Sequence, residues 1–420
     1  MHRLLYVCLD GLGDDPVPAL GDRTPLEAAP TPHLDSLAER GMTGTVVTVG
    51  EGIAPESDIA VFAILGYDPR EDHPGRGVVE AIGAGMRFRD GDLAYRINFA
   101  TVDWPKIIDR RVGRDLSSED ARLLAEEVNK KLHLPGATFQ LNATVDHRGV
   151  LVIRSVEGPL SAAVTNTDPA YSRDGSMGVA VEHYENEVVP AEPLEDTEAA
   201  RRSALLTNAF VEESSWIMDH SSVNEDRRRE GRLPGNLILT RDAGDHIPDL
   251  QPIKERTGLS WGCFVEMPVE RGIAIILGME PVEAPRLIAD EQYATWATLA
   301  ADALGGFDAL YVHLKGPDVP AHDGRAEDKR DVIATIDEAF FGELLGKIDL
   351  EETIVAVTAD HSTSCIRAAH TADPVPLVVA GSGIDSDGSA AFGERAAAEG
   401  SLGRLLGIEI VPRLIELMRA

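Results

Sequence analysis

The sequence has only three cysteines, Cys8, Cys263 and Cys365, among its 420 residues. An odd number of scattered cysteines makes no disulfide framework, so we expect buried thiols and a reduced, cytoplasmic setting. The sequence also lacks any apolar run of about 18 residues or more, which excludes a conventional membrane-spanning helix. The short apolar stretch that runs into Asp10 has no small-residue cleavage site, so we predict a buried strand there rather than a signal peptide.

Basic residues are scarce: 39 Lys and Arg stand against 71 Asp and Glu, and the formal net charge is −32. A field of this sign repels nucleic acids and anionic membranes, so neither is expected as a partner. A site that binds phosphate would have to reverse this field locally, and bound divalent cations can do so. The 43% of hydrophobic residues is typical of globular proteins, and the length allows two hydrophobic cores.

Both ends of the chain alternate between apolar runs and amphipathic stretches. Buried parallel strands are predicted at Leu4–Leu9, Gly272–Leu277, Ala309–Leu314, Thr353–Val357 and Val375–Ala380. Helices are predicted at Thr31–Arg40, Asp290–Ala303 and Arg330–Leu345. This alternation predicts an α/β domain whose mostly parallel sheet is flanked by helices.

The middle of the chain has a different pattern. Strands are predicted at Tyr95–Val102, Thr138–Val145, Gly149–Ile153 and Asn236–Thr240, and the second and third of these should form a hairpin. Helices are predicted at Ser118–Leu132 and Glu195–Ile217. We therefore predict an inserted α+β domain at residues 91–254, within an α/β domain formed by residues 1–90 and 255–420.

Carboxylate and imidazole side chains follow three of the predicted strands. These candidate metal ligands are Asp10, Asp318, His322, Asp360, His361 and His370. Ligands of open α/β sheets bind beyond the carboxyl ends of the strands, so we expect the six side chains to converge. Such an oxygen and nitrogen set suits manganese or zinc, and suits two ions better than one. Two ions about 3.5–4 Å apart are typical of phosphoryl-transfer sites.

Ser57 stands where a loop rich in glycine and proline meets a predicted helix that ends at Gly66. One interpretation is a helix N-cap, because serine is favoured at that position. The alternative is a nucleophile. A helix N-terminus presents unpaired N–H groups to phosphate, and a serine oxygen held near a metal ion can attack phosphorus.

Several segments carry a family resemblance. They are VCLDGLGD, TPHLDSLAERG, PESDIAVFAILGYDP, GPDVPAHDG, TADHST with HTADPVP, YRINFATVD, IIDRRVGR and LPGNLILTRDAG. Together they resemble the alkaline phosphatase superfamily and, more closely, its archaeal-type 2,3-bisphosphoglycerate-independent phosphoglycerate mutases. The resemblance covers nearly the whole chain and implies an alkaline-phosphatase-like fold with an inserted phosphotransferase domain. It also implies interconversion of 3-phosphoglycerate and 2-phosphoglycerate, in glycolysis and gluconeogenesis, through a phosphoserine.

The resemblance also implies individual roles. One divalent ion would be held by Asp318, His322 and His370. The other would be held by Asp10, Ser57, Asp360 and His361. Manganese is the expected metal, with magnesium, zinc or cobalt as alternatives, and Ser57 would be the residue phosphorylated during turnover.

Basic side chains that bind the substrate are expected in the inserted domain, because arginine binds phosphate and carboxylate bidentately. The candidates are Arg96, Arg110, Arg111, Arg114 and Arg241. A solvated basic turn is the alternative for the RRVGR segment. Asp168 is a candidate general acid or base, or else a turn residue before proline. Lys315 is a candidate phosphate contact, or else a surface lysine.

Three positions depart from the family pattern: Ser364 lies near an expected proline, Asp242 replaces a small residue, and Gly235 replaces alanine. Two other functions stay open. A phosphomonoesterase or another phosphomutase of the superfamily would have the same ligands. A catalytically silent binding protein would keep the fold, although the complete ligand set argues against it.

Overall fold

The computed structural model describes residues 2–174, 177–181, 183–287 and 290–419. The strands are β1 (Arg3–Leu9), β2 (Gly41–Val47), β3 (Leu93–Asp103), β4 (Lys106–Asp109), β5 (Ala137–Ala143), β6 (Arg148–Ser155), β7 (Tyr171–Asp174), β8 (Met177–Ala180), β9 (Leu237–Gly244), β10 (Trp261–Phe264), β11 (Glu280–Pro281), β12 (Ala309–Leu314), β13 (Thr353–Thr358), β14 (Ser362–Ser364), β15 (Ala369–Thr371), β16 (Val375–Gly381) and β17 (Gly403–Leu406).

The helices follow the same numbering. They are α1 (Pro25–Ala28), α2 (Pro32–Arg40), α3 (Ser57–Ile64), α4 (Pro69–Asp72), α5 (Arg76–Gly83), α6 (Ser118–Lys131), α7 (Glu198–Asp219), α8 (Ser222–Arg229), α9 (Ile253–Thr257), α10 (Pro268–Ile276), α11 (Asp290–Ala303), α12 (Asp318–His322), α13 (Ala326–Ile336), α14 (Glu343–Leu345), α15 (Glu394–Ala398) and α16 (Gly407–Arg419). A π-helical segment, Asp337–Gly342, connects α13 to α14.

The chain divides into two units. The first unit comprises residues 1–72 and 250–420, and the second comprises residues 73–249. The predicted boundaries at 90/91 and 254/255 therefore differ from the observed division. The main reason is α5, whose Val78 and Ala81 pack against Ala94, Val150 and Val152 of the second unit. The predicted domain start at residue 91 separated this helix from the sheet that buries its apolar face.

The first unit contains an eight-stranded sheet in the order β11-β10-β12-β1-β13-β16-β2-β17. Strand β1 pairs in parallel with β12 on one side and with β13 on the other. Strand β16 instead runs antiparallel to both β13 and β2. The predicted α/β class with a mostly parallel sheet is confirmed, but the parallel direction predicted for Val375–Ala380 is wrong.

One predicted strand is a helix. Gly272–Leu277 lies almost entirely within α10, which begins at Pro268. A run of six apolar residues has no periodicity that separates a buried strand from a buried helix. Proline at the first helical position favours the helix, because its fixed φ matches the helical backbone and its missing N–H needs no partner. The charged stretch from Asn224 to Arg232, to which no element was assigned, contributes most of α8.

The second unit is built on an antiparallel sheet in the order β4-β3-β6-β5. Strand β9 also pairs with β3, on the side opposite β6. Strands β5 and β6 form the predicted hairpin. Helices α6 and α7 supply apolar residues such as Leu124 and Phe210 to the same core as Tyr95 and Leu151 of the sheet. This arrangement agrees with the predicted α+β class.

The sequence also predicted buried, unpaired thiols and no membrane-spanning helix. All three cysteines are free and buried. Within the described ranges, no helix combines the length and the hydrophobicity needed to cross a membrane.

A buried ion pair fixes the loops beyond the sheet of the first unit. Lys329 of α13 is fully buried, and its Nζ donates to Asp14 Oδ2 at 2.9 Å. The same ammonium donates to the carbonyl oxygens of Gly13 at 2.9 Å and Thr363 at 2.8 Å. Lys329 therefore connects the loop after β1 to strand β14.

Replacing Lys329 with methionine is expected to lower the free energy of unfolding by about 3–5 kcal/mol, because Asp14 is left as an uncompensated buried charge. Urea denaturation measures this loss. The double variant D14N/K329M should recover part of it. Lys347→Met is the matched control, because the Lys347–Glu343 pair is exposed and should contribute less than about 1 kcal/mol. Equal losses in the two single variants would contradict the prediction.

Candidate active site

The predicted ligands lie beyond the carboxyl ends of three neighbouring strands. Asp10 directly follows β1, α12 follows β12 and contains Asp318 and His322, and β13 leads into Asp360 and His361. Because β12, β1 and β13 are adjacent and parallel, these groups meet at one edge of the sheet. His370 lies on β15, which pairs with β14 just after His361.

His361 is at the centre of the first group, which we call the Asp10 set: Asp10, Ser57, Asp360 and His361. Its Nε2 lies 3.1 Å from Ser57 Oγ and 3.3 Å from Asp360 Oδ2. The distance from His361 Nε2 to Asp10 Oδ1 is 3.7 Å. The structure thus brings together all four residues assigned to one ion by the resemblance.

Asp318 is at the centre of the second group, which we call the Asp318 set: Asp318, His322 and His370. Its Oδ1 lies 3.4 Å from His322 Nε2 and 3.6 Å from His370 Nε2. The two sets are adjacent, because the imidazole rings of His361 and His370 stack with centroids 3.8 Å apart.

Ser57 is not the N-cap of α3. Glu56 occupies that position, and Ser57 is the first helical residue. The Ser57 hydroxyl lies against His361 Nε2 instead of closing the helix end. The seven residues that follow, 58–64, are all buried, so packing holds the helix and fixes where the hydroxyl lies.

The pKa values of the Asp10 set reflect crowded charges. Burial and the Asp10 carboxylate raise the pKa of Asp360 to about 7. Burial opposes ionisation of Asp10 as well, but Lys315, His313 and His361 outweigh it and hold the pKa of Asp10 well below its ordinary value. Burial and the neighbouring His370 lower the pKa of His361 to about 3, which leaves its imidazole neutral.

In the Asp318 set, the pKa of His370 is raised, whereas that of His361 in the Asp10 set is lowered. Burial acts against protonation of His370, but the neighbouring Asp318 carboxylate raises the pKa of His370 to about 9. Burial works against the charge on Asp318, yet the three histidines around it lower its pKa.

The donor atoms of the two sets fit divalent cations. Asp10 Oδ1 and Asp360 Oδ2 are buried, and neither accepts a hydrogen bond from any residue that the structure describes. Buried polar atoms are normally hydrogen-bonded, so two orphaned carboxylate oxygens beside one imidazole nitrogen have the chemistry of ligands for a divalent cation. Potential ligand atoms of Asp10, Asp360 and His361 lie within 4.8 Å of one another, as do those of Asp318, His361 and His370.

Lys315 is part of this site, so its interpretation as a surface lysine is wrong. Its Nζ lies 3.1 Å from Asp10 Oδ2 and donates to Glu270 Oε1 at 2.7 Å. Burial acts against its charge, but the carboxylates of Asp10, Glu270 and Asp360 raise its pKa well above the ordinary value. A phosphate contact by Lys315 stays a prediction.

Three further side chains at this site were not predicted from the sequence. Glu270 belongs to α10, most of which was predicted as the strand Gly272–Leu277, so the approach of Glu270 to Lys315 was not foreseen. His313 is buried within β12, and its Nε2 lies 3.9 Å from Asp10 Oδ1. Thr363 donates a hydrogen bond to Asp318 Oδ1 at 2.7 Å. The alternation of β12, which directs His313 and Lys315 to the same side, was the available signal.

The second unit brings several of the predicted arginines together. Arg96 of β3 and Arg241 of β9 are cross-strand partners, and both are buried. The Nε atom of each donates no hydrogen bond to the described part of the chain. The guanidinium of Arg241 lies 3.8 Å from the centroid of the Tyr171 ring.

Arg110 and Asp168 form a bidentate pair. Arg110 donates to Asp168 Oδ1 at 2.8 Å and to Oδ2 at 2.6 Å. The Arg110 guanidinium lies 5.3 Å from the Tyr171 centroid and 5.6 Å from that of Tyr184, so it shares Tyr171 with Arg241. Asp168 is buried and also accepts the Ala170 N–H, as in the turn-residue interpretation.

The remaining two predicted arginines lie farther along the loop after β4. Arg111 is half-buried. Burial and the charge of Arg76 lower the pKa of Arg148, and the charge of Arg111 adds a smaller effect in the same direction. Arg114 is exposed in the 3₁₀ turn Val112–Arg114. Their roles in substrate binding stay predictions.

Arg96 and Arg241 belong to a group of charged side chains that we call the arginine cluster. Its other members, Arg76, Glu80 and Arg148, were not predicted. Glu80 Oε1 accepts from Arg76 Nε at 2.8 Å and lies 3.5 Å from Arg96 Nε. Burial and the positive charges of Arg241 and Arg76 lower the pKa of Arg96 to about 9. Arg76 and Glu80 occupy i and i+4 of α5, a spacing visible in the sequence, but the domain boundary predicted at 90/91 separated them from Arg96.

The departures from the family pattern lie in these regions. Ser364 Oγ donates to Asp15 Oδ2 at 2.7 Å and accepts the Arg367 N–H at 3.1 Å, so serine shapes a turn where proline was expected. Asp242 adopts a left-handed φ of 56°. A β-carbon at Gly235 would lie 3.3 Å from Leu124 Cδ1, a tight contact.

Comparisons with known proteins agree with the motifs. A family model described as 2,3-bisphosphoglycerate-independent phosphoglycerate mutase matches residues 38–224. The enzyme of that name from Aeropyrum pernix is 43% identical over 427 positions, which cover 99% of each chain. A solved structure of a Pyrococcus horikoshii protein gives a TM-score of 0.82 at 30% identity, covering 100% of this chain and 97% of the other.

A second solved structure is the cofactor-independent phosphoglycerate mutase of Thermoplasma acidophilum. It gives a TM-score of 0.66 at 32% identity and covers 99% of each chain. The protein is thus an α/β enzyme of the phosphoglycerate mutase class. It belongs to the family of 2,3-bisphosphoglycerate-independent phosphoglycerate mutases, as the motifs predicted.

Proposed function

We propose that this enzyme interconverts 3-phosphoglycerate and 2-phosphoglycerate through phosphorylated Ser57 at a site for two divalent cations. The observation that carries the proposal is the position of Ser57 Oγ, 3.1 Å from His361 Nε2. The same nitrogen lies 3.7 Å from Asp10 Oδ1 and 3.3 Å from Asp360 Oδ2, the two unsatisfied carboxylate oxygens. A hydroxyl at the start of a buried helix, next to metal-type ligands, has the surroundings of an activated nucleophile.

The Asp10 set would hold one cation and the Asp318 set the other. Manganese suits the mixture of carboxylate and imidazole ligands, and magnesium, zinc and cobalt are alternatives. When bound, the cations neutralise phosphate charge and favour the ionised form of the serine hydroxyl. The Nζ of Lys315 lies 3.1 Å from Asp10 Oδ2 and adds a positive charge next to the Asp10 set. Lys315 is proposed to contact the phosphate.

The reaction balances without an external phosphate donor. Ser57 Oγ gives up its proton and attacks phosphorus, the bond from phosphorus to the glycerate oxygen breaks, and that oxygen takes up a proton. The other glycerate hydroxyl then releases a proton and attacks phosphorus, the bond from phosphorus to Ser57 Oγ breaks, and Ser57 Oγ takes up a proton again. Asp168 is proposed to exchange these protons with glycerate, and Arg110, which holds both of its oxygens, orients its carboxylate.

The arginine cluster of the second unit is proposed to bind the anionic substrate. The charged groups of this cluster affect one another electrostatically. The cluster consists of four arginines and one glutamate, so its net charge is +3; the members are Arg76, Arg96, Arg148, Arg241 and Glu80. A phosphate monoester carries about −1.5 to −2 charges at neutral pH, and a carboxylate adds about −1. The cluster therefore provides the local reversal of charge that the acidic sequence requires.

Replacing Arg241 with lysine is expected to lower kcat/KM by about 10–100-fold. Lysine keeps the charge but loses the planar stacking on Tyr171 and the paired donors, and a hydrogen bond to a charged group contributes about 1.5–3 kcal/mol. Steady-state kinetics with 3-phosphoglycerate measure the change. Arg122→Lys is the control, because the exposed Arg122 pairs with the exposed glutamates Glu119 and Glu126 on α6. Equal kinetics for both variants would exclude Arg241 from the binding site.

One assay separates the proposed function from the phosphomonoesterase alternative. Wild-type protein with Mn²⁺ and 3-phosphoglycerate is coupled to enolase, and free phosphate is measured in parallel. Formation of 2-phosphoglycerate in excess of free phosphate supports the mutase. Free phosphate without 2-phosphoglycerate would reject it.

A further inference from the structure

Thr363 lies between the two candidate cation sets. This residue of β14 is fully buried. Its hydroxyl donates to Asp318 Oδ1 at 2.7 Å and lies 3.0 Å from His361 Nδ1. One hydroxyl thus contacts the central residue of each set.

The direction of these hydrogen bonds follows from their chemistry. An ionised carboxylate can only accept, so the Thr363 hydroxyl proton is used in the bond to Asp318. The Thr363 oxygen must then accept from His361, which requires a proton on Nδ1. A neutral imidazole carries one ring proton, so Nε2 is left with a free lone pair. That atom is the one that faces Ser57, Asp10 and Asp360.

The surrounding backbone holds Thr363 in this place. Its N–H donates to Gly13 O at 2.9 Å, and its carbonyl oxygen accepts from Lys329 Nζ at 2.8 Å. It is also the cross-strand partner of His370, a member of the Asp318 set. The main chain on either side of the hydroxyl is therefore fixed independently of the hydroxyl itself.

Gly11 leaves the room that this hydrogen bond needs. A β-carbon at Gly11 would lie 2.7 Å from Thr363 Oγ1 and 2.8 Å from Asp318 Oδ1, and the φ of +63° already favours glycine. A side chain next to the ligand Asp10 is thus excluded at the point where the hydroxyl and carboxylate meet.

We propose that Thr363 is a positioning residue that fixes His361 in the tautomer with its proton on Nδ1 and links the two cation sets. The proposal rests on the assignment of His361 and Asp318 to the two cations. Without the hydroxyl, His361 Nδ1–H loses its acceptor and the proton can move to Nε2, which then has no lone pair for a cation. Asp318 loses a donor at the same time, so both sets are affected by one oxygen atom.

Metal titration and NMR test the proposal. Calorimetric titration of Mn²⁺ into the metal-free protein should show an affinity about 10–100-fold lower for Thr363→Val than for wild type. Thr363→Ser keeps the hydroxyl and should bind Mn²⁺ within about threefold of wild type. Thr257→Val is the matched control, because it removes another buried threonine hydroxyl, one that donates to the Ile253 carbonyl. Unchanged Mn²⁺ affinity in Thr363→Val would overturn the proposal.

The tautomer is measured on the wild-type protein, so this arm does not depend on the folding of a variant. Long-range ¹H–¹⁵N correlation spectra of the metal-free protein, with the His361 signals identified by their loss in His361→Gln, should show the proton on Nδ1. A proton on Nε2 would overturn the proposal. Wild-type protein that shows the Nδ1 tautomer and binds Mn²⁺, yet does not form 2-phosphoglycerate, would contradict the proposed function and leave this inference standing.

Discussion

Replacing Ser57 with alanine is expected to reduce the conversion of 3-phosphoglycerate by roughly 1,000-fold or more, because the variant lacks the proposed nucleophile. The fold should be retained. The residues that hold α3 in place are the buried apolar ones after Ser57, and Glu56 already occupies the N-cap position. The change therefore removes one oxygen atom from the site and little else.

Two measurements check this result. Enolase-coupled turnover gives the loss of rate, and mass spectrometry of the acid-quenched wild-type reaction should find phosphate on the peptide that contains Ser57. Ser386→Ala is the control, because that exposed hydroxyl donates to the Glu39 carbonyl at the surface. Full activity in Ser57→Ala would reject the covalent mechanism, and phosphate on a different residue would relocate the nucleophile.

Replacing Asp360 with asparagine is expected to raise the stability of the metal-free protein and to lower its catalytic activity. The variant keeps Oδ1, which accepts the N–H groups of Gly11 at 3.1 Å and His361 at 3.0 Å. It loses the negative charge that lies beside Asp10. Turnover should fall by more than about 100-fold, since even residues that only support a metal ligand commonly cost up to that factor.

The pH dependence of the metal-free protein follows from the raised pKa of Asp360. Its folded-state pKa, about 7, is above the ordinary carboxyl value, so the folded state binds a proton that the unfolded state releases. The contribution of Asp360 to the stability of the metal-free wild type should therefore fall as pH rises from about 4 to about 7. The asparagine variant lacks this contribution, and above pH 7 its metal-free Tm should be higher by roughly 3 °C or more.

Added Mn²⁺ should reverse the order of stability. A ligand that binds only the folded state raises Tm, so saturating Mn²⁺ should stabilise the wild type more than the variant. Thermal unfolding with and without chelator, at several pH values, measures both effects. If the metal-free Asp360→Asn variant had a lower Tm than the metal-free wild type above pH 7, the proposed repulsion between the Asp10 and Asp360 carboxylates would be contradicted. An equal response to Mn²⁺ would remove Asp360 from the Asp10 set.

The parts of the fold that could be predicted are those with a strong local pattern. Continuous apolar runs predicted β1, β12 and β13, and the polar residues that end these runs predicted a shared site. The three strands are confirmed, and the side chains that follow them lie together because parallel neighbours place their carboxyl ends at one edge of the sheet. The direction of β16 could not be read in this way, since a buried strand has the same composition whether it runs parallel or antiparallel.

The supporting residues of the site could not be predicted because their roles depend on tertiary contacts. Thr363 is an ordinary residue of a short strand until Asp318 and His361 are placed on either side of it. Glu270 lies on a helix whose apolar run had been assigned to a strand. Glu80 is paired in sequence with Arg76, but its contact with Arg96 requires α5 to pack on the sheet of the second unit.

The separation of Ser57 from His361 by 304 residues affects how the protein is made. Within the described part of the chain, strand β1 pairs with β12 and β13 alone, so it has no neighbour in the sheet until these strands have been synthesised. Such long-range pairing is slow and leaves an apolar strand exposed during translation, so chaperones are expected to protect the emerging chain. Capacity to bind Mn²⁺ should consequently appear only at the end of folding, which makes the ion a reporter of the completed sheet.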